Sequence, residues 1–234
     1  MRPKYLPEEE IESVANFLLF TYGEEFGPVV RPPVPVDEML ECNLKLHFGF
    51  GDLPRVLGVP DALGATWIHE RKVIIDQSLD PAEHPERRGR YRFTVGHEIG
   101  HWELHSPLFR NAASQGQLFG VPKDPTIVCR ARSSRNPLEW QANTFAACLL
   151  MPATMVFNAW VERQGSLASY VADKEIAELS TRWKLGESVQ PTVEIARDLA
   201  REFHVSGQAM QIRLIGLQLI EAGTPSQKLF AGLG

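Results

Sequence analysis

The stretch FTVGHEIGHWELH, Phe93–His105, restricts the fold of this 234-residue chain more than any other. It contains three of the seven histidines, spaced four residues apart, with a glutamate directly after the first. Four residues make slightly more than one helical turn, so on a helix His97 and His101 lie on one face about 6 Å apart. The apolar residues between them predict a long, partly buried helix that begins near Glu86.

This spacing indicates a metal site. Two imidazoles so placed can bind one ion, and His97, Glu98 and His101 match the H-E-x-x-H arrangement of zinc peptidases. Zinc lowers the pKa of a bound water and polarises a peptide carbonyl. Glu98 would accept the proton of that water as a general base and pass it to the leaving amine as a general acid. The alternative is a surface helix with scattered histidines, which the apolar residues of the same stretch disfavour.

A catalytic zinc typically has three protein ligands, so one more is needed. His105 lies about 12 Å along the helix axis from His97, too far for one ion to bind all three histidines. We expect His105 to contact the ligands, to face the substrate or to be structural. Glu139 is the better candidate, because it begins a second predicted helix, EWQANTFAACLL, and would complete a His2Glu site. On spacing alone, Glu139 is equally compatible with a solvated carboxylate at a helix start.

The cysteines predict a reducing compartment. Cys42, Cys129 and Cys148 are widely spaced and form no C-x-x-C pair, which does not suit a disulfide framework. Cys148 lies among apolar residues and is expected in the core. Cys129, shortly before Glu139, is either an inhibitory fourth zinc ligand or a small buried thiol.

Composition indicates a globular cytoplasmic protein. Apolar residues make up 44% of the chain and charged residues 23%. The net charge of −5 argues against broad binding to nucleic acids or membrane surfaces, which relies on excess Lys and Arg. The longest apolar runs are far shorter than the roughly 20 residues that span a bilayer. No signal peptide is expected at the N-terminus.

The remaining patterns predict an α+β fold. Three short segments rich in apolar and β-branched residues, LKLHF, ATWIH and KVIID within residues 44–76, predict a small antiparallel or mixed sheet. KVIID is either an exposed edge strand that holds substrate through main-chain hydrogen bonds or a half-buried strand. Residues 106–136 show no regular period. We divide the chain into a metallopeptidase domain, 1–185, and a helical segment, 186–234.

The helical segment contains LAREFHVSGQAM, which has the pattern of a helix-turn-helix. A DNA-binding role would require basic residues on its second helix, but residues 191–234 contain four basic and four acidic side chains. In addition, Arg213 occupies a position where a DNA-reading helix would place a buried apolar residue. We therefore expect a structural or substrate-docking module and no DNA binding.

HEIGHWELH followed by EWQANTFAACLLMP resembles the ImmA/IrrE family of bacterial metallo-endopeptidases, and the resemblance covers about residues 35–220. It implies a zincin-like α+β domain in which His97, His101 and Glu139 bind zinc and Glu98 is the base. It also implies that the substrates are helix-turn-helix repressors of stress-response or mobile-element genes. The sensor-like C-terminal domain of longer members is expected to be absent.

The resulting hypothesis is a zinc endopeptidase that cleaves a repressor. The alternative is a zinc-containing regulator that binds its repressor partner without cutting it, in which a carboxylate at Glu98 would have no use. Tyr91 and His105 are the candidates for stabilising the tetrahedral intermediate. The sequence does not indicate the cleavage site, the activating signal or the oligomeric state.

Overall fold

The computed structural model describes residues 5–114, 124–130, 136–183 and 190–221. The chain forms two compact units. The first consists of the residues up to Val29 and of Val34–Leu150, and the second of Val30–Pro33 and the residues from Met151 onward. The predicted domain boundary at residue 185 stays a prediction.

The first unit combines helices with a four-stranded sheet. Its helices are α1 (Glu8–Phe26), α2 (Val36–Glu38), α3 (Leu53–Leu57), α4 (Arg88–Ser114) and α5 (Pro137–Leu150), with a π-helical turn at Met39–Asn43 and 3-10 turns at Gln77–Leu79 and Pro85–Arg87. Its strands are β1 (His47–Gly51), β2 (Ala62–Trp67), β3 (Lys72–Asp76) and β4 (Ile127–Arg130). The strand order is β1-β3-β2-β4, with β1 parallel to β3 and the other pairs antiparallel. The predicted α+β class with a small mixed sheet is confirmed.

Two details of the sheet differ from the sequence-based expectation. The KVIID strand, β3, lies between β1 and β2, so of the two alternatives considered for it the exposed edge strand is wrong. The stretch 106–136 contains regular structure that its composition did not indicate, because α4 continues through Pro107 to Ser114 and β4 follows. Residues 115–123 and 131–135 of that stretch lie outside the described residues.

The long helix α4 packs closely on α5 through glycines. A Cβ on Gly100 would lie 3.1 Å from the Cα and carbonyl oxygen of Ala142 and from the Cβ of Phe145. A Cβ on Gly96 would lie 3.4 Å from that of Ala146. Glycine lowers helix propensity, but here its missing side chain lets the two backbones approach. The glycines of the HEIGH stretch therefore bring the ligand-bearing faces of α4 and α5 together.

The second unit is mainly helical. It comprises α6 (Ala153–Gln164), α7 (Asp173–Trp183), α8 (Glu194–Phe203) and α9 (Gly207–Gly216), with β5 (Tyr170–Val171) parallel to β6 (Ile220–Glu221). Three residues separate α8 from α9, and the hydroxyl of Ser206 caps α9 by accepting a hydrogen bond from the Ala209 amide. Arg213 is 3% exposed and donates to the Met151 carbonyl at 3.1 Å, so its side chain is part of the buried interior of this unit.

Within the described ranges, no single helix is both long and apolar enough to cross a membrane. The helices α5 and α6, which are bent by 49° at their junction, have sufficient length and apolar content only when they are taken together.

Candidate active site

The side chains of α4 and α5 converge on one point in the first unit. The Nε2 atoms of His97 and His101 lie 2.9 Å apart. The carboxylate of Glu139 places its Oε2 atom 3.3 Å from His97 Nε2 and its Oε1 atom 3.2 Å from His101 Nε2. All three residues are buried, and Glu139 is the most exposed of them at 9%. The structure thus brings together the three predicted ligands, which come from two helices.

Hydrogen bonds on the far side of each ring fix its orientation. His97 Nδ1 donates to Asn143 Oδ1 at 2.8 Å. The Nδ1 atoms of His101 and His105 lie 2.9 Å apart, and His105 Nε2 donates to Gln141 Oε1 at 3.0 Å. Because His105 gives its Nε2 proton to Gln141, its Nδ1 accepts from His101. Both ligand candidates therefore carry their proton on Nδ1 and direct the lone pair of Nε2 toward the shared point.

This donor set fits a zinc ion. Two Nε2 lone pairs 2.9 Å apart repel each other unless a positive charge lies between them. Tetrahedral zinc bound at ~2.0–2.1 Å requires donor atoms about 3.3 Å apart, close to the observed separations. Two imidazoles and a carboxylate are the donors of many catalytic zinc sites, in which a fourth position stays open.

The ionisation of Glu139 and His101 agrees with a cation at this point. Burial lowers the pKa of His97, but contacts with Cys129 and Glu139 outweigh it and raise that pKa well above the ordinary value, so metal binding would release a proton from His97. Burial alone would raise the pKa of Glu139, but the adjacent imidazoles of His101 and His97 outweigh it and hold that pKa well below the ordinary value. Burial and the neighbouring His97 lower the pKa of His101 to about 4. Glu139 is therefore a carboxylate and His101 a neutral imidazole, the forms in which both residues bind metals.

Glu98 lies beside the three donors, between α4 and the sheet. The Thr66 hydroxyl on β2 donates to Glu98 Oε2 at 2.6 Å. The other oxygen, Oε1, is buried and has no hydrogen-bond partner among the described residues. Burial raises the pKa of Glu98 to about 7. One oxygen is therefore positioned by the sheet and the other is available to a reacting molecule, an arrangement suited to a general base.

Comparison with known families agrees with this geometry. The family model of the IrrE N-terminal-like domain, peptidase family M78, matches residues 82–214, more than half of the chain. The chain belongs to the M78 peptidase family. The predicted ImmA/IrrE relationship is thereby confirmed, and a metallopeptidase-type function with a protein substrate follows from it. No curated protein matches the chain.

The matched M78 region contains α4, β4 and α5, and with them every predicted ligand, the predicted base and Cys129. The thiol of Cys129 is buried and hydrogen-bonded to the side chain of His97, and burial raises its pKa. Its sulfur, a ring nitrogen of His97 and a carboxylate oxygen of Glu98 lie within 4.8 Å of one another. Cys148, as expected, is buried in α5.

The two candidates for stabilising the tetrahedral intermediate have other contacts. The Tyr91 hydroxyl donates to Asp37 Oδ1 at 2.6 Å, and burial raises its pKa further above the ordinary value. His105 lies behind His101, with both ring nitrogens in the hydrogen-bond chain that ends at Gln141. Of the three roles considered for His105, the geometry favours contact with a ligand.

Sequence reasoning missed the contribution of β2 to this M78 site. Thr66 positions Glu98, and Gly64 leaves room for it, since a Cβ on Gly64 would lie 2.4 Å from Glu98 Oε1. Neither residue belongs to a recognisable motif, and both reach α4 only through the register of the sheet. The hydrogen bonds of Asn143 to His97 and of Gln141 to His105 were not predicted either, although both residues lie beside Glu139 in the second motif.

We expect His105→Ala to weaken zinc binding by about 10–100-fold, the usual cost of removing a partner of a metal-bound histidine. The substitution leaves His101 Nδ1 without its acceptor, so the ring loses its fixed tautomer and orientation. Chelator-competition titration measures the effect. His69→Ala, an exposed histidine in the β2–β3 turn, is the matched control and should bind zinc as the parent does. Equal affinity in both variants would contradict the orienting role.

We expect Gly64→Ala to reduce peptide cleavage by about 10²-fold while zinc stays bound, because misplacing a reacting group by ~1 Å has effects of this size. The new methyl group would force the Glu98 carboxylate away from its position. Gly49→Ala on β1 is the control, since its Cβ would meet Ile74 Cδ1 at an ordinary 3.4 Å. Parent-like cleavage by Gly64→Ala would show that Glu98 does not need its observed position.

Proposed function

We propose that the protein is a zinc-dependent endopeptidase with a zincin-like catalytic unit, in which His97, His101 and Glu139 bind the ion and Glu98 is the general base. The observation that carries the proposal is the convergence of His97, His101 and Glu139 beside a buried carboxylate, one oxygen of which has no partner in the described part of the chain. Zinc, when bound, would lower the pKa of water toward ~7 and polarise the substrate carbonyl.

The chain's own groups would handle the proton. Glu98 Oε1 is the atom that receives a proton from the attacking water, because Oε2 already accepts from Thr66. The Thr66 hydrogen bond also keeps the carboxylate from rotating away between steps. Glu98 then gives the proton to the amine that leaves. A pKa near 7 suits a group that must both accept and donate a proton at neutral pH.

The proposed substrate is a helix-turn-helix transcriptional repressor. This proposal is supported by the ImmA/IrrE resemblance rather than by the geometry of the site. We assign α8 and α9, a helix-turn-helix-like pair, a structural or docking role. Their hydrophobic faces and Arg213 are buried within the second unit, which leaves few basic groups for DNA. We place the protein in the cytoplasm on the basis of its composition and cysteine usage.

A cleavage assay tests the proposed substrate. The purified protein, loaded with one equivalent of zinc, is incubated with the repressor encoded beside its gene, and products are identified by intact-mass spectrometry. The expected result is cleavage at one position that stops when a chelator removes zinc. The runner-up function, a zinc-containing regulator, predicts a stable complex with the intact repressor. A repressor neither bound nor cut would exclude it as the substrate.

A further inference from the structure

Cys129 lies beside the proposed zinc site, although a catalytic zinc with three protein ligands needs no fourth. It is 7% exposed and lies on β4, antiparallel to β2 and paired with Gly64. Successive side chains of a strand point to opposite faces of the sheet. Val128, the preceding residue, packs with the apolar cluster around Leu53 and Ala65, so Cys129 is directed to the other face, toward α4.

The neighbours of this thiol are polar, unlike those of a thiol that only fills a core. Two sets of three potential ligands share His97: one with His101 and Glu139, the other with Glu98 and Cys129. The thiol is therefore on the Glu98 side of the donor set. That is the side on which the attacking water must lie if Glu98 is to receive its proton. Only His97 belongs to both sets, so a bound ion would have to draw the thiol toward His101 and Glu139.

The same side of the site holds a buried acceptor and no side chain from Gly64. Gly64, the partner of Cys129 in the sheet, has no side chain that could separate the thiol from α4. Glu98 Oε1, buried beside Gly64, has no partner among the described residues. Thiolate is among the preferred ligands of zinc, whose structural sites are closed by four protein ligands.

We propose that Cys129 is a fourth ligand that closes the zinc site and keeps the peptidase latent. The inference rests on the proposed function. Binding breaks the S–H bond and forms a sulfur–zinc bond. The proton passes to Glu98 and then to solvent, and no oxidation is involved. The thiolate then occupies the place of the attacking water, so cleavage requires Cys129 to withdraw.

Cobalt substitution tests the ligand directly. The zinc of the full-length protein is replaced by Co(II), and the absorption spectrum is recorded. We expect a thiolate-to-cobalt charge-transfer band in the near ultraviolet, lost in Cys129→Ala and retained in the matched controls Cys42→Ala and Cys148→Ala. Zinc X-ray absorption of the unaltered protein provides the same answer without a variant, as one sulfur at ~2.3 Å beside nitrogen and oxygen neighbours at ~2.0–2.1 Å.

The outcomes separate this inference from the proposed function. Visible bands of tetrahedral cobalt without a charge-transfer band, or a zinc shell without sulfur, overturn the inference and leave the zinc peptidase standing. A protein that takes up neither zinc nor cobalt in stoichiometric amount overturns both.

Cleavage tests the latent state. With the zinc-loaded proteins, Cys129→Ala is expected to cut the adjacent repressor, or a pooled peptide library, several-fold faster than the unaltered chain, and Cys42→Ala is expected to match the unaltered chain. Equal rates for Cys129→Ala and the unaltered chain would overturn the blocking role of the thiol.

Discussion

The Glu98→Gln protein is expected to bind zinc as the unaltered chain does and to cleave peptides ~10²–10⁴-fold more slowly, the usual contribution of a general acid–base group. This loss corresponds to about 2.7–5.4 kcal/mol of transition-state stabilisation. The carboxamide has nearly the shape of the carboxylate and can accept the Thr66 hydrogen bond. It cannot take a proton from water at neutral pH, however, so the chemical step fails while the site remains assembled.

Initial rates on a peptide library, together with zinc content, measure this effect. The Glu98→Gln substitution is tested both in the unaltered chain and in the Cys129→Ala background. If Cys129 keeps the unaltered chain latent, the loss of cleavage rate is still visible in the second background. Glu86→Gln, an exposed glutamate just before α4, is the matched control and should cleave at the parent rate. If Glu98→Gln cleaves at full rate, Glu98 is not the base and another group must receive the proton.

Glu139→Ala is expected to lose far more zinc affinity than the ~10–100-fold that a partner of a metal-bound histidine contributes. Glu139 supplies the negative charge of the donor set and contacts the Nε2 atoms of both His97 and His101. Without it, two neutral imidazoles remain, and one of the three protein ligands of a catalytic zinc is missing. The consequence should be a protein that is purified without zinc and does not cleave.

Chelator-competition titrations of Glu139→Ala, His105→Ala and the control Glu86→Ala rank these contributions. Far-ultraviolet circular dichroism shows whether each variant keeps its helices. The expected order of zinc affinity is Glu86→Ala, equal to the unaltered chain, then His105→Ala, then Glu139→Ala. If His105→Ala loses more zinc than Glu139→Ala, then His105 is the third ligand and Glu139 is not.

The part of the site that depends on local geometry could be predicted from the sequence. The four-residue spacing of His97 and His101 determines their separation once the segment is helical, because the helix repeat is fixed. Glu139 was less certain by spacing, since its approach to the histidines depends on how α5 packs against α4. The motif around Glu139 resembles that of the ImmA/IrrE family, and this resemblance made the packing of α5 on α4 predictable. The family match over residues 82–214 confirms the relationship.

The contributions of the sheet could not be predicted, because they depend on pairings between distant segments. Thr66 reaches Glu98 only because β2 lies beside α4, and Cys129 reaches His97 only because β4 adds to β2. The exposed-edge alternative for β3 could not be excluded from the sequence for the same reason, since only the strand pairing shows that β4 and β1 occupy the outer positions among the described strands. Glycine lowers helix propensity, and only the packed structure shows that Gly100 must lack a side chain, because a Cβ there would lie 3.1 Å from atoms of Ala142 and Phe145.

The most direct test of the zinc centre is an anomalous difference map, recorded at the zinc absorption edge, from crystals of the protein grown with zinc. We predict one strong peak per chain, within bonding distance of His97 Nε2, His101 Nε2 and the Glu139 carboxylate. A strong peak bound by other residues, or zinc-containing crystals with no peak among these three side chains, would show that His97, His101 and Glu139 are not the zinc ligands.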